Sequence, residues 1–181
     1  FRAVEFFQVS DWSGAQEYFT KSLGYPQNLT FVALSHFWLG ELAYRKGDAQ
    51  EALAQFESFL KTPGSYTLTE RPTALYNKAY CLYKLDRLED ASAAFRVYLQ
   101  DAKSTDRKIE DATLRLADLY FLLGKHALAQ EYYDKSVRLD PKGRYAAYAT
   151  YQQALCMGLV GKDVQKMEVL QRLSTSSNEQ D

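Results

Sequence analysis

Residues 33–60 read ALSHFWLGELAYRKGDAQEALAQFESFL, and this stretch decides the fold. Its second half carries apolar residues at positions 49, 52, 53, 56, 59 and 60. These spacings place them on one stripe of an amphipathic helix. Before that helix, Gly47 supplies the left-handed backbone at which a helix ends. Asp48 and Glu51 form a capping-box pattern. The stretch therefore predicts two helices joined by a short turn.

The same pattern recurs along the chain. Its small residue, Ala52, is matched by Ala15, Ala91 and Ala129, at successive steps of 37, 39 and 38 residues. Four positions further on, every copy carries an aromatic ring, namely Phe19, Phe56, Phe95 and Tyr133. Self-similarity at a period of this size is typical of stacked repeats. We therefore expect an all-α solenoid built from antiparallel helix pairs.

The succession Leu39-Gly40, Tyr44, Gly47-Asp48, Ala52 and Phe56 resembles the tetratricopeptide repeat (TPR), a helix–turn–helix unit of about 34 residues. The resemblance implies a right-handed α-solenoid, the TPR superhelix. In the copy at 72–99, Asp86 stands where the family has the turn glycine. Aspartate tolerates the left-handed conformation better than most residues, so we expect the turn to survive.

The resemblance covers nearly the whole chain and predicts a single TPR domain over residues 1–181. Its repeats are expected at about 1–30, 33–66, 72–105, 110–143 and 147–174, followed by a frayed tail at 175–181. The first repeat is truncated, because it matches the family only from its sixth position onward. The last repeat is degenerate: Lys166 replaces the small residue, so we expect its helices to be splayed or shifted in register.

The long turns at 61–72 and 101–108 and the 37–39-residue period resemble bacterial cell-envelope TPR proteins, such as the BamD and YbgF/CpoB groups. Residues 151–173 resemble repeats in multi-TPR proteins of Bacteroidetes. These resemblances imply the bacterial periplasm or cell envelope. The residues themselves leave the compartment open.

In TPR arrays the first helices of successive repeats line a concave face, and the family's contact positions map onto this chain. The candidate peptide-binding residues are Phe37, Glu41, Tyr44, Tyr76, Asn77, Tyr80, Tyr83, Arg115, Asp118, Phe121 and Tyr151. Tyr76, Tyr80 and Tyr83 follow a helical spacing and share one face. Tyrosine combines a large contact area with a hydroxyl group, which suits binding. The pattern predicts a non-catalytic scaffold that holds a peptide or protein segment in an aromatic concave groove.

Two alternatives stay open at this point. Aromatic rings at helical spacing also form cores, and this applies most to Phe37 and Phe121. The chain is alternatively a structural or assembly module of a larger multi-repeat or cell-envelope complex, which associates through its repeat ends. Terminal repeats need a polar outer face. We expect Phe1, Phe6 and Phe7 to lie partly uncovered, so self-association through the truncated first repeat is possible.

Composition and motifs narrow the function classes. The chain is 46% hydrophobic and 25% charged with a net charge of −1, which is ordinary for a folded domain and offers no basic stripe for nucleic acid. No apolar run reaches a membrane span, so we expect no direct membrane insertion. Catalytic motifs and metal-ligand spacings are missing, so we expect no enzyme, metal or cofactor. Cys81 and Cys156 are expected to be buried free thiols, and His36 and His126 structural or solvent-facing.

Overall fold

A computed structural model of the protein describes residues 2–8, 11–103 and 105–178. These residues form helices and turns without any β-strand, which confirms the all-α prediction. The α-helices are α1 (Arg2–Gln8), α2 (Trp12–Leu23), α3 (Leu29–Lys46), α4 (Ala49–Lys61), α5 (Arg71–Lys84), α6 (Leu88–Asp101), α7 (Lys108–Leu122), α8 (His126–Leu139), α9 (Ala146–Leu159) and α10 (Asp163–Asn178). A short 3-10 helix occupies Ser65–Thr67. None of these helices combines the length and apolar character that crossing a bilayer requires.

The helices group into two compact units, one up to Ala94 and one from Phe95 onward. In the N-terminal unit, each helix from α1 to α4 packs against the next one in sequence. In the C-terminal unit, α7, α8, α9 and α10 do the same. Helix α6 contributes residues to both units. Packing between sequence neighbours is the hallmark of a solenoid, while the single domain over residues 1–181 stays a prediction.

The turns inside the four repeats that follow the first are built in the same way. Gly47, Asp86, Gly124 and Gly161 all have a positive φ, at 84°, 58°, 69° and 78°. The backbone N–H of the next residue then reaches back to a carbonyl oxygen of the preceding helix at 2.8–3.0 Å, through the pairs Asp48–Ala43, Arg87–Leu82, Lys125–Tyr120 and Lys162–Met157. This bond caps the helix C-terminus. The prediction for Asp86 is confirmed.

Residues 33–60 form the predicted helix pair. The side chain of Asp48 accepts a hydrogen bond from the backbone N–H of Glu51 at 3.0 Å, so the predicted cap is present. The carboxylate of Glu51 accepts instead from the Gln55 amide. A Cβ placed on Gly40 would come within 2.9 Å of the Phe56 ring. Glycine is therefore needed at this point for α3 to approach α4 so closely.

The last helix pair again sets a glycine on its first helix against a longer side chain on its second. Lys166 occupies the position of the small residue on α10. A Cβ placed on Gly158 would lie only 2.9 Å from the Cδ atom of Lys166. Gly158 on α9 leaves the space that the lysine stem fills. Helices α9 and α10 therefore contact each other, while a splayed or register-shifted pair stays an expectation.

The C-terminal helix is longer than the sequence analysis expected. Helix α10 runs to Asn178, four residues into the segment 175–181 that was assigned to a frayed tail. The hydroxyl groups of Ser174 and Thr175 donate to backbone carbonyl oxygens three residues earlier, at 2.8 and 2.9 Å. These bonds lie within the helix and accompany its continuation. Residues 179–181 lie outside the described part of the chain.

The first repeat is better covered than expected. Phe7 is only 8% exposed, and its ring lies edge-on to Trp38 with 4.7 Å between ring centroids. The Arg45 guanidinium sits 4.5 Å from the same ring. Phe6 is half-buried and stacks on Tyr18 at 5.4 Å. The expectation of an uncovered Phe7 is wrong because α3 supplies Trp38 and Arg45. Phe1 lies outside the described residues.

Candidate functional site

Helices α3 and α5 bring several predicted contact residues together in the N-terminal unit. The Asn77 amide donates a hydrogen bond to the Glu41 carboxylate and so joins the two helices. One turn along, the Lys84 ammonium lies 4.5 Å from the centroid of the Tyr44 ring. A cation over an aromatic face at this distance is attractive. The two contacts fix neighbouring helices in register along the predicted binding face.

The tyrosine stripe, Tyr76, Tyr80 and Tyr83 on α5, lies beside these contacts. The Tyr76 and Tyr80 rings are half-buried and tilted against each other, with 5.0 Å between centroids. Tyr83 is 41% exposed at the end of the stripe. Paired aromatic rings at this separation support each other's orientation. The stripe therefore offers one accessible ring next to two ordered ones.

Phe37 is a correction to the predicted set. Its side chain is only 4% exposed, and its ring contacts Phe56 and Phe59 of α4 at centroid distances of 6.2 and 5.6 Å. The position faces the partner helix of its own repeat, so Phe37 belongs to the core. Asn77 is also buried, at 7% exposed, and its role is to satisfy Glu41 across the helix pair.

Asp118 is the centre of the predicted site residues in the C-terminal unit. Its carboxylate accepts hydrogen bonds from Arg115 at 2.8 Å, from the Tyr133 hydroxyl at 2.8 Å and from the Tyr148 hydroxyl at 2.9 Å. Arg115 also lies 3.6 Å from Asp111. We call these residues the Asp118 network. It joins α7, α8 and α9, so one carboxylate ties three helices together.

The environment of the network keeps its tyrosines protonated. Burial, followed by the charge of Asp118, raises the pKa of the Tyr133 hydroxyl well above its ordinary value. Burial and the hydrogen bond to Asp118 raise the pKa of Tyr148 as well.

The other two predicted contact residues of this unit, Phe121 and Tyr151, have other surroundings than the Asp118 network. Phe121 is half-buried edge-on to His126 at 5.4 Å, and Tyr151 is 46% exposed.

Family models of the tetratricopeptide repeat match residues 2–66, 65–107 and 111–142. The chain belongs to the tetratricopeptide repeat family. Its repeat pattern, positive-φ turns and neighbour-on-neighbour helix packing are those of a TPR protein. A search of curated protein sequences finds no significant match. The finer resemblance to the BamD and CpoB groups stays a prediction.

Solved structures place this TPR chain in the same fold. MamA residues 41 to the end, from Desulfovibrio magneticus RS-1, are 17% identical, with 99% of this chain and 93% of that one covered and a TM-score of 0.68. YrrB, described as "a TPR protein with an unusual peptide-binding site", is 17% identical, with coverages of 94% and 80% and a TM-score of 0.74. TPR-like repeats of a kinesin light chain from Podosopora anserina are 14% identical, with coverages of 99% and 93% and a TM-score of 0.68. At these identities the likeness concerns the fold alone.

The hydrogen bonds from Tyr133 and Tyr148 to Asp118 were not predicted from the sequence. Tyr133 stands at the TPR position where the three preceding repeats carry phenylalanine, so it has one extra hydroxyl. That hydroxyl finds its acceptor in Asp118 of the same repeat. A buried tyrosine hydroxyl needs a partner, so the change from phenylalanine was the available signal. The contact of Lys84 with Tyr44 had no such signal, because it crosses between repeats.

The two cysteines and His36 are packed or hydrogen-bonded within the fold. Cys81 and Cys156 are buried free thiols, and burial raises their pKa to about 12 and about 11. The Nδ1 atom of His36 lies 2.7 Å from the Gln55 side-chain oxygen, which ties α3 to α4. Within the part of the chain that the structure describes, His, Cys, Asp and Glu form no group of three that could hold a metal ion.

Proposed function

We propose that this TPR protein is a non-catalytic scaffold that binds a peptide or protein segment on the face formed by α3 and α5. The observation that carries the proposal is the tyrosine stripe, in which Tyr83 is accessible while Tyr76 and Tyr80 are held against each other. Tyrosine loses little conformational entropy on binding and buries a large area. Aromatic anchors of this kind dominate the energy of many interfaces.

The surroundings of the stripe support a preformed surface. Glu41 and Asn77 satisfy each other, so neither polar group has to be reorganised when a ligand arrives. Lys84 is held over Tyr44 and adds a cationic edge to the same face. Preorganised side chains reduce the ordering cost of association. YrrB, which shares the fold and is described as having a peptide-binding site, is consistent with this use of TPR helices.

The test compares two exposed tyrosines. Peptides are selected on the wild-type protein from a random display library, and their affinity is measured by fluorescence anisotropy. We expect Tyr83→Ala to weaken binding by about tenfold, which is roughly 1.4 kcal/mol. Tyr66, in the 3-10 turn, is 73% exposed and provides the matched control, Tyr66→Ala. Equal losses in the two variants, or no loss in Tyr83→Ala with helicity unchanged, would contradict the proposal.

A second candidate function is assembly through the repeat ends. It is favoured by α10, where Val164 and Met167 are 74% and 64% exposed. Apolar side chains exposed to this extent favour a partner that covers them. Sedimentation equilibrium of the wild type and of the double variant Val164→Ser/Met167→Ser tests self-assembly through α10. Association of the wild type that disappears in the double variant supports this function. A wild-type protein that stays monomeric at all concentrations contradicts self-assembly. The cell-envelope location stays a prediction from resemblance.

A further inference from the structure

Two clefts in the C-terminal unit have the same construction one repeat apart. The first lies between α6, α7 and α8 and encloses about 500 Å³. The second lies between α8, the turn that follows it, α9 and α10, and encloses about 580 Å³. Thr113 in the first corresponds to Thr150 in the second, and Lys135 corresponds to Arg172, each 37 residues apart. The clefts are therefore successive copies of one inter-repeat feature.

The charged side chains among the residues that line both clefts are cations. The cations are Arg96, Lys135 and Arg138 in the first cleft and Lys142, Arg144 and Arg172 in the second. None of the described side chains that line either cleft is an aspartate or a glutamate. The chain as a whole has a net charge of −1, so this concentration of six cations is a local property. A surface of one sign attracts a partner of the opposite sign.

Two of the three cations of the first cleft already have carboxylate partners on α8. Lys135 contacts Glu131 and Arg138 contacts Asp134, both at 2.6 Å, and both carboxylates lie outside the cleft lining. These are exposed pairs within one helix, and such pairs contribute little to stability, so the paired cations stay open to competition from a ligand carboxylate. Arg96 on α6 is exposed at the opposite wall. An anionic group in the cleft would thus meet cations from two helices.

Apolar side chains complete the lining and restrict the kind of anion. Leu99 and Leu139 contribute to the first cleft, and Leu139 is 52% exposed. Val137 and Val169 contribute to the second. A small inorganic anion would leave these groups in water, whereas a ligand that combines carboxylates with aliphatic side chains would cover them. Burial of such surface is favourable by about 25 cal/mol per Å².

We propose that these two clefts form a second docking surface, which binds a carboxylate-rich peptide segment of a partner protein that carries aliphatic residues between its acidic ones. Carboxylates contact the cations, with bidentate pairing available at the arginines. The aliphatic side chains lie on Leu99 and Leu139 in one cleft and on Val137 and Val169 in the other. An extended segment of about ten residues is about 33–36 Å long, enough to cross several packed helices. This surface does not depend on the tyrosine stripe.

The experiment uses the full chain and a fluorescein-labelled peptide of alternating Glu-Leu and Asp-Leu pairs, about 12 residues long. Binding is followed by fluorescence anisotropy at low and high salt. The first-cleft variant is Arg96→Glu/Lys135→Gln and the second-cleft variant is Lys142→Glu/Arg144→Glu. Lys61→Glu on α4 is the matched control, because Lys61 is an exposed cation outside both clefts.

We expect each cleft variant to weaken binding by about tenfold, the combined variant to weaken it by about a hundredfold, and added salt to weaken the wild-type complex. Lys61→Glu and Tyr83→Ala should bind like the wild type, and this outcome separates the clefts from the tyrosine stripe. The proposal is overturned if the wild type does not bind the peptide or if the cleft variants bind it unchanged. It is also overturned if a phosphoserine peptide without leucine, or a single-stranded oligonucleotide, binds as tightly.

Discussion

The Asp118 network provides the sharpest test of whether a predicted contact residue is structural. Replacing Asp118 by alanine removes the acceptor of three hydrogen bonds in one step. Two of the donors can turn toward water, because the Arg115 side chain is 31% exposed and Tyr148 is 42% exposed. Tyr133 cannot, because it is 1% exposed. The cost of the substitution therefore falls mainly on one buried hydroxyl.

The expected change in the free energy of unfolding follows from this difference between one buried donor and two exposed ones. A hydrogen bond to a charged group contributes about 1.5–3 kcal/mol, and a buried polar group left without a partner costs about 1–3 kcal/mol. We expect Asp118→Ala to lower the free energy of unfolding by about 2–4 kcal/mol. Asp118→Asn keeps an oxygen for the two tyrosines and should cost about 1 kcal/mol. Tyr133→Phe removes the buried hydroxyl, so no donor is left without an acceptor, and it should also cost about 1 kcal/mol.

Urea unfolding followed by circular dichroism measures these values, and a double-mutant cycle isolates the coupling. Asp118→Ala/Tyr133→Phe should be less destabilised than the sum of its single variants by about 1–2 kcal/mol. The pH dependence gives an independent signature. The pKa of Tyr133 is raised in the folded state, so its contribution is present below the ordinary value of 10.0 and is lost as pH rises beyond it. Tyr133→Phe should show a smaller loss above that pH, because the raised pKa of Tyr148 still contributes to it.

Additive single and double variants would refute the reasoning, as would an Asp118→Ala protein as stable as the wild type. Either result would mean that Tyr133 finds another partner and that Asp118 is available to a ligand. The outcome therefore decides whether Asp118 is a structural residue or a ligand-binding residue. If the network is structural, a loss of binding in Asp118 variants reports unfolding of the face and not a lost contact.

Further predictions concern packing and reactivity. Gly40→Ala should destabilise the protein by about 1–2 kcal/mol, because overpacking against the buried ring outweighs the helix propensity gained. Gly158→Ala should cost less than about 0.5 kcal/mol, because a flexible lysine stem can move aside; equal urea midpoints for the two variants would contradict this. Gly124→Ala should cost about 1–2 kcal/mol through backbone strain at φ 69° alone. Cys81 and Cys156 should react with iodoacetamide far more slowly in the native than in the unfolded protein at pH 9, because burial raises their pKa to about 12 and about 11; rapid native labelling would contradict this.

The helix pairs could be predicted from the sequence because the residues that form each helix and each turn lie close together along the chain. The apolar stripe on α4, the left-handed turn at Gly47 and the tolerance of Asp86 for the same turn all depend on a few neighbouring residues. Burial of the equivalent alanines follows from the same register, and Ala15 and Ala52 are both fully buried. Such features are readable because the physical constraint and the residues that meet it are close in sequence.

The candidate site was harder to predict, because it depends on which helix covers which face. Phe37 and Tyr83 both occupy contact positions of the family, yet Phe37 is buried by α4 and Tyr83 is open. Helical periodicity places a residue on a face but does not say what packs there. The position of Lys166 required knowledge of Gly158 on the preceding helix, which only the packed pair reveals.

The glycine on α9 and the lysine on α10 make the last repeat a matched pair of helices. The lysine stem lies where a side chain on Gly158 would have to go. A chimera that moved α10 alone behind another first helix would place a lysine stem against a full-sized side chain. Recombination, or the engineering of longer arrays from this chain, should therefore cut in the loops between repeats. A cut in the turn at Gly161 would separate two partners that compensate each other.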